Sequence, residues 1–246
     1  MLKWFSKKRK DLDLLPLDFS VLKTDIHSHF IPGIDDGAPN MKEAVALIIE
    51  MQKLGYKKLI TTPHVMSDFY KNSPETILKG LDDLRNELAK KNVSIEIDAA
   101  AEYYVDYDFE QNIKKEKLLT FGDGYLLVEF PFLQEPKNFL DIIFRLQISG
   151  YKVVLAHPER YHYFEMKDYE NLASRGVLFQ INFLSLIGYY CLQTKHRAED
   201  LVAKNMVSFI GSDCHNMQQM SCYIKCQTKK SWHDLYKSGT LLNNTL

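Results

Sequence analysis

Thr24-Asp25-Ile26-His27-Ser28-His29-Phe30 decides how the rest of the chain is read. An apolar approach through Phe19, Val21 and Leu22 leads into it, so it reads as a first strand. Side chains alternate across a strand, which puts His27 and His29 on one side, together with Asp25. Two imidazoles one pleat apart can hold a single metal ion from one rigid element, and imidazole is the commonest protein ligand for such metals. Gly33, Asp35, Asp36 and Gly37 follow at once, a turn able to bring a carboxylate back to the same place. A His-x-His pair on its own is weak evidence, because short motifs recur by chance. Its weight depends on whether other ligands recur at the ends of later strands.

They do. Apolar strand-like runs at 58–62, 93–101, 125–130, 152–156, 177–181 and 207–210 alternate with helical patterns at 41–54, 74–91, 136–149, 168–174 and 196–205, and a short polar helical tail follows. About seven strand–helix units argue for parallel strands with crossover helices, an α/β fold. In such folds the ligand lies beyond the carboxyl ends of the strands. His27 and His29, then His64, Glu102, His157, and finally Asp213 with His215 all stand at those ends. If the strands close into a barrel, these side chains meet at one mouth. His162, His196 and His233 fall in loops or helices away from strand ends and read as ordinary surface or core residues.

Glu102 and Asp213 end apolar strands, where an unpaired ionised carboxylate is costly. A cation accounts for them. Four or more imidazoles with three carboxylates exceed the needs of one ion, which implies two or three. Nitrogen and oxygen donors without thiolate suit manganese, iron or zinc better than calcium. Clustered divalent ions lower the pKa of a shared water and clamp the oxygens of an in-line phosphoryl displacement. Arg160, three residues after His157, could hold a phosphate through a bidentate pair, or form a surface salt bridge with Glu159 or Glu165.

The 246-residue length is close to the ~250 residues typical of a (β/α) barrel, and the 46% hydrophobic content supports one sizeable core. A formal net charge of -1 gives no global field for nucleic acid or an anionic membrane. Cys191, Cys214, Cys222 and Cys226 form no disulfide framework, which suits a reducing cytoplasm. Residues 1–20 read as a basic tail and 21–246 as one domain. Residues 1–10 carry Trp4 and Phe5 beside a basic run but no apolar signal core, so the tail is solvated, or at most a weak peripheral contact with the inner face of a membrane. Cys191 and Arg197 fit the bare CX5R spacing of cysteine-dependent tyrosine phosphatases. The five residues between them include no glycine to bend a loop around an anion, so a catalytic Cys191 is not expected.

As an ordered set, the motifs Asp25-Ile-His27-Ser-His29, Asp35-Asp36-Gly37, Thr62-Pro63-His64, Ala101-Glu102-Tyr103-Tyr104, Val128-Glu129-Phe130, Ala156-His157-Pro158-Glu159-Arg160-Tyr161 and Ser212-Asp213-Cys214-His215-Asn216 are specific. The chain resembles the PHP (polymerase and histidinol phosphatase) superfamily, and within it the manganese-dependent bacterial protein tyrosine phosphatases of capsule and exopolysaccharide operons. The resemblance implies a distorted TIM-like (β/α)7 barrel with a trinuclear metal site. The ligands it implies are His27, His29, Asp36, His64, Glu102, His157, Asp213 and His215, with Glu102 bridging and Arg160 on the phosphate. The implied substrate is phosphotyrosine on a bacterial tyrosine autokinase that controls polysaccharide export. A small-molecule phosphatase of the same superfamily, such as one acting on histidinol phosphate, is the alternative. The run Met217-Gln218-Gln219-Met220 departs from relatives that carry another arginine there.

Overall fold

The computed structural model describes residues 14–113 and 117–246. The membrane contact expected of residues 1–10 lies outside the described residues.

The chain runs β1 (Thr24–Asp25), α1 (Met41–Lys53), β2 (Lys58–Thr61), β3 (His64–Val65), α2 (Pro74–Lys90), β4 (Glu96–Ala99), β5 (Glu102–Tyr104), α3 (Tyr107–Asn112), β6 (Tyr125–Glu129), α4 (Phe139–Ile148), β7 (Lys152–Ala156), α5 (Met166–Ser174), β8 (Leu178–Asn182), α6 (Leu192–Ala203), β9 (Phe209–Gly211), α7 (Met217–Tyr223) and α8 (Lys230–Ser238). Every ladder between these strands is parallel. They form two sheets, in the orders β1-β2-β4 and β3-β5-β6-β7-β8-β9.

The expected strands at 58–62 and 93–101 differ from what is seen. The first gives β2 and then β3, parted by Thr62 and Pro63. The second starts at Glu96 and is followed by β5 after Ala100 and Ala101. Proline has no N–H to give a ladder, so the break at Pro63 is local chemistry. Hydrogen bonds still cross the gap: Ala100 N donates to the Thr61 carbonyl at 2.9 Å and Glu102 N to the Pro63 carbonyl at 3.1 Å. The first and last strands also meet. Ser28 bridges Cys214 in parallel. Asp213 N donates to the His27 carbonyl at 2.8 Å, and His29 N to the Cys214 carbonyl at 3.0 Å. The ladders are therefore two parallel sheets joined by the Ser28–Cys214 bridge on one side and by isolated hydrogen bonds on the other, and not the one unbroken barrel ladder that the strand count suggested.

Strand alternation sorts the core. Val153 and Leu155 pack in the large core shared with the helices, while Val154 joins a smaller one with Ile26, Ile60, Leu127 and Phe209. α1 and α2 cover the first sheet with Ala44, Leu47, Ile48 and Met51, and with Ile77, Leu81, Leu84 and Leu88. Each such aliphatic side chain stabilises by roughly 1.5–3 kcal/mol when fully buried. Ser73 and Thr76 form a reciprocal cap in front of Pro74, fixing where α2 begins.

Three local readings change. α6 starts at Leu192 rather than at 196, because the Cys191 sulfur accepts from Thr194 N and caps the helix. The six-residue α3 is too short to show a period; Asp106 caps it by accepting from Phe109 N at 2.8 Å. The folded part also begins earlier than residue 21. Phe19 is fully buried, 4.3 Å from the Phe183 ring and 5.9 Å from Trp232, whose indole N–H donates to the Leu17 carbonyl at 2.8 Å. At the other end Asn243 is buried and ties β1 to β9: its amide donates to the Thr24 and Ile210 carbonyls and its oxygen accepts from Ile210 N.

Candidate metal centre

The strand ends and the loops that follow them bring all eight expected ligands into one cluster of overlapping groups. His27 Nε2 lies 3.1 Å from Glu102 Oε2 and 3.5 Å from Asp213 Oδ1. His29 Nε2 is 3.4 Å from His27 Nε2 and 3.5 Å from Asp213 Oδ1. His157 Nε2 is 2.9 Å from Glu102 Oε1, and His64 Nδ1 is 3.2 Å from Glu102 Oε2. Asp36, half exposed at the pocket edge, stands 3.6 Å from His64 Nε2 and 3.5 Å from His215 Nε2. Four overlapping groups could each hold an ion: His27, His29 and Asp213; His27, Glu102 and His157; His64, Glu102 and Glu129; and His29, Asp36, His64 and His215. Glu102 belongs to two of them.

Glu129 joins one of these candidate groups beside the expected eight. It ends β6 two residues after Leu127, whose side chain lies in the smaller core, so alternation aims Glu129 at the same face. A buried acid at the end of an apolar strand was the available signal. Asp25 does the reverse. It does not join His27 and His29; its carboxylate accepts from Ser212 N at 2.8 Å and from the Ser212 hydroxyl at 2.7 Å, tying β1 to the turn after β9.

A second layer of side chains orients the imidazoles. The Gln180 amide nitrogen donates to the Ile181 carbonyl and to Asn182 Oδ1, so its oxygen faces His27. His27 Nδ1–H donates to that oxygen at 2.8 Å, which turns the Nε2 lone pair inward. His29 Nδ1–H donates to Asp35 Oδ2 at 2.8 Å, and His215 Nδ1–H to the Asp213 carbonyl at 2.9 Å. Three rings thus present Nε2 to a region already lined by carboxylate oxygens. Lone pairs at such distances call for a proton or a cation between them, and a cation fits this donor set. His157 and Asp213 also sit at φ 31° and 52°, left-handed conformations uncommon outside glycine. Backbone strain at two strand ends that both face the cluster is characteristic of a functional site. Glycine makes room for it: a Cβ on Gly211 would lie 2.7 Å from His27 Cβ and 2.8 Å from the Gln180 amide nitrogen.

The charges depend on one another. Burial pushes Glu102 up, but His27, His64 and the bond from His157 outweigh it and hold the carboxyl well below the usual range. Asp213 is held well below as well: burial opposes this, and His27, His29 and His215 prevail. Burial, with Glu102 close by, pushes Glu129 well above the usual range. Burial drives His157 down to about 4, so that ring is neutral. One of its buried nitrogens, Nδ1, has no hydrogen-bond partner among the described residues, and the same is true of His64 Nδ1. A divalent cation would reverse the Glu102–Glu129 conflict and let both acids ionise.

Arg160 lies beside this cluster in a pocket of about 300 Å³ that is also lined by Asp36, His64, Glu129, Phe132 and Tyr190. Cys191 is not part of it. Its sulfur caps α6, and Arg197 is engaged with the Phe164 carbonyl and the Tyr169 hydroxyl. The CX5R spacing here is a helix start followed by a partly buried arginine engaged in structural hydrogen bonds.

Residues 23–241 match the family model described as capsular polysaccharide synthesis, CpsB/CapC. The chain is 32% identical over 199 residues to the tyrosine-protein phosphatase YwqE of Bacillus subtilis, covering 79% of this chain and 78% of the relative. It is 27% identical over 204 residues to a Staphylococcus aureus protein described as the putative tyrosine-protein phosphatase CapC, covering 82% and 80%. A solved structure from work on YwqE of B. subtilis and CpsB of Streptococcus pneumoniae, described as unique metal-dependent tyrosine phosphatases, superposes with a TM-score of 0.78 at 29% identity over 90% of both chains. A histidinol phosphate phosphatase of Lactococcus lactis has a TM-score of 0.54 at 15% identity over 88% of this chain and 93% of that one, a likeness of fold alone.

Proposed function

The chain belongs to the CpsB/CapC family of capsular polysaccharide synthesis, and from that membership and the geometry we propose that it is a metal-dependent phosphatase acting on phosphotyrosine. One observation carries the reading: overlapping ligand groups share Glu102, and a partly buried arginine stands beside them in an open pocket. His27, His29, Asp36, His64, Glu102, Glu129, His157, Asp213 and His215 would hold two or three divalent ions, manganese by our reading. Bound there, the ions would supply Lewis acidity and a water of lowered pKa.

The chain's own residues do the rest. Arg160 offers its N–H donors to the phosphoryl oxygens and balances their charge in the transition state. Asp35, Gln180 and the Asp213 carbonyl keep the Nε2 atoms of His29, His27 and His215 facing inward. Tyrosine is a fair leaving group, with a phenol pKa of about 10, so departure needs little acid assistance. By this reading the physiological substrate is a bacterial tyrosine autokinase governing polysaccharide export, met in the cytoplasm or at the inner face of the membrane. Among the described residues no helix is long and apolar enough to cross a membrane.

The test is hydrolysis of a phosphotyrosine peptide before chelation, after chelation and after manganese re-addition, with His27→Ala and Cys191→Ser in parallel. Activity lost to chelator and to His27→Ala but kept by Cys191→Ser supports the reading. Activity that ignores chelator and vanishes with Cys191→Ser overturns it.

A further inference from the structure

The Arg160 guanidinium carbon lies 4.3 Å from the centre of the Phe132 ring and 4.5 Å from that of Tyr190, over both. Two aromatic rings at cation–π distance hold the guanidinium without using its N–H donors, which stay available to other partners. The nearest carboxylate does not take them: Arg160 Nη1 is 3.6 Å from Asp213 Oδ2, too far for a hydrogen bond. That oxygen is already occupied. It accepts from the Asn182 amide at 2.6 Å and from the Tyr190 hydroxyl at 3.2 Å. Tyr190 therefore does two things at once. Its ring carries the cation, and its hydroxyl fills the carboxylate oxygen that would otherwise draw the cation in.

We propose that Phe132 and Tyr190 are positioning residues for phosphate capture, a clamp that holds the Arg160 guanidinium with its donor edge free. The inference rests on the reading of Arg160 as the phosphate-holding group. A free arginine side chain spreads over many rotamers, and ordering it on binding costs affinity. A clamped one has met that cost in folding. Phe132 is on the loop after β6 and 40% exposed, so its replacement leaves the core intact.

The experiment uses the manganese-loaded protein with inorganic phosphate as probe, read by calorimetry, and a phosphotyrosine peptide for kcat and KM. Phe132→Leu keeps an apolar side chain and removes the π-face. It should weaken phosphate binding and raise KM by about five- to tenfold, with metal content unchanged. Phe132→Tyr should restore both. Tyr190→Phe, which keeps the ring, should lose less than Tyr190→Leu. In an Arg160→Met background, Phe132→Leu should cost nothing further, because the clamp acts only through Arg160. Unchanged phosphate affinity in Phe132→Leu overturns the proposal, and so does an equal loss with and without Arg160. Phosphate held through Arg160 by a protein that does not hydrolyse the peptide would overturn the phosphatase reading while leaving the clamp supported.

Discussion

Gln180 Oε1 accepts from His27 Nδ1 at 2.8 Å, and this one contact fixes which nitrogen of His27 faces the pocket. The amide cannot flip without losing its bonds to Ile181 and Asn182, so the tautomer is set from β8 for a candidate ligand just past the end of β1.

Gln180→Leu should keep the fold and lower metal affinity or activity about 10- to 100-fold, the usual cost of losing such an outer partner. Titration of the chelated protein with manganese, followed by activity, measures it. Unchanged affinity would show that His27 needs no such support.

Gly211→Ala should be more damaging than its size suggests. The added methyl meets His27 Cβ at 2.7 Å and the Gln180 amide at 2.8 Å, so both must move. Metal content per chain should fall, with thermal stability reduced by about 1–3 kcal/mol from overpacking.

Glu129→Gln removes one carboxylate from the group formed with His64 and Glu102. The expected result is fewer bound metal ions per chain and reduced kcat, read by elemental analysis beside steady-state rates. A full metal complement with normal turnover would remove Glu129 from the ligand set.

Glu159 supplies a pH test. It is fully buried; Oε1 accepts from Asn182 N and the Ser185 hydroxyl, while Oε2 has no hydrogen-bond partner among the described residues. Burial pushes its carboxyl up to about 7. The folded chain then holds a proton that the unfolded chain releases at ordinary glutamate pH values. Its contribution is fully present below the unfolded pKa and is lost as pH rises through about 7. Glu159→Gln should therefore gain on the natural protein between about pH 4 and 8, by up to roughly 3 kcal/mol. Denaturant melts across that range, compared pairwise, would reveal it; a constant difference would refute the buried-proton account.

The alternation of strands and helices, the parallel pairing and the strand-end candidates His27, His29, His64, Glu102, His157, Asp213 and His215 were legible in the residues, because each rests on local chemistry, while Asp36 was picked out of the Asp35-Asp36 pair only by the family resemblance. Period-two and period-3.6 patterns report which face is buried, and histidines at strand ends such as His64 and His157 announce themselves. What the sequence left open depends on partners far along the chain. Whether Asp25 faced its neighbouring histidines or Ser212 was decided by a turn 187 residues away. Glu129 became a candidate ligand, and Cys191 a helix cap, only when β6 and α6 took their places. Tyr190 reads in the sequence as one more tyrosine. Its ring under Arg160 and its hydroxyl on Asp213 exist only because loops after β6, β7, β8 and β9 converge at one mouth. A side chain's local pattern fixes its direction, but what it meets there is set by tertiary packing.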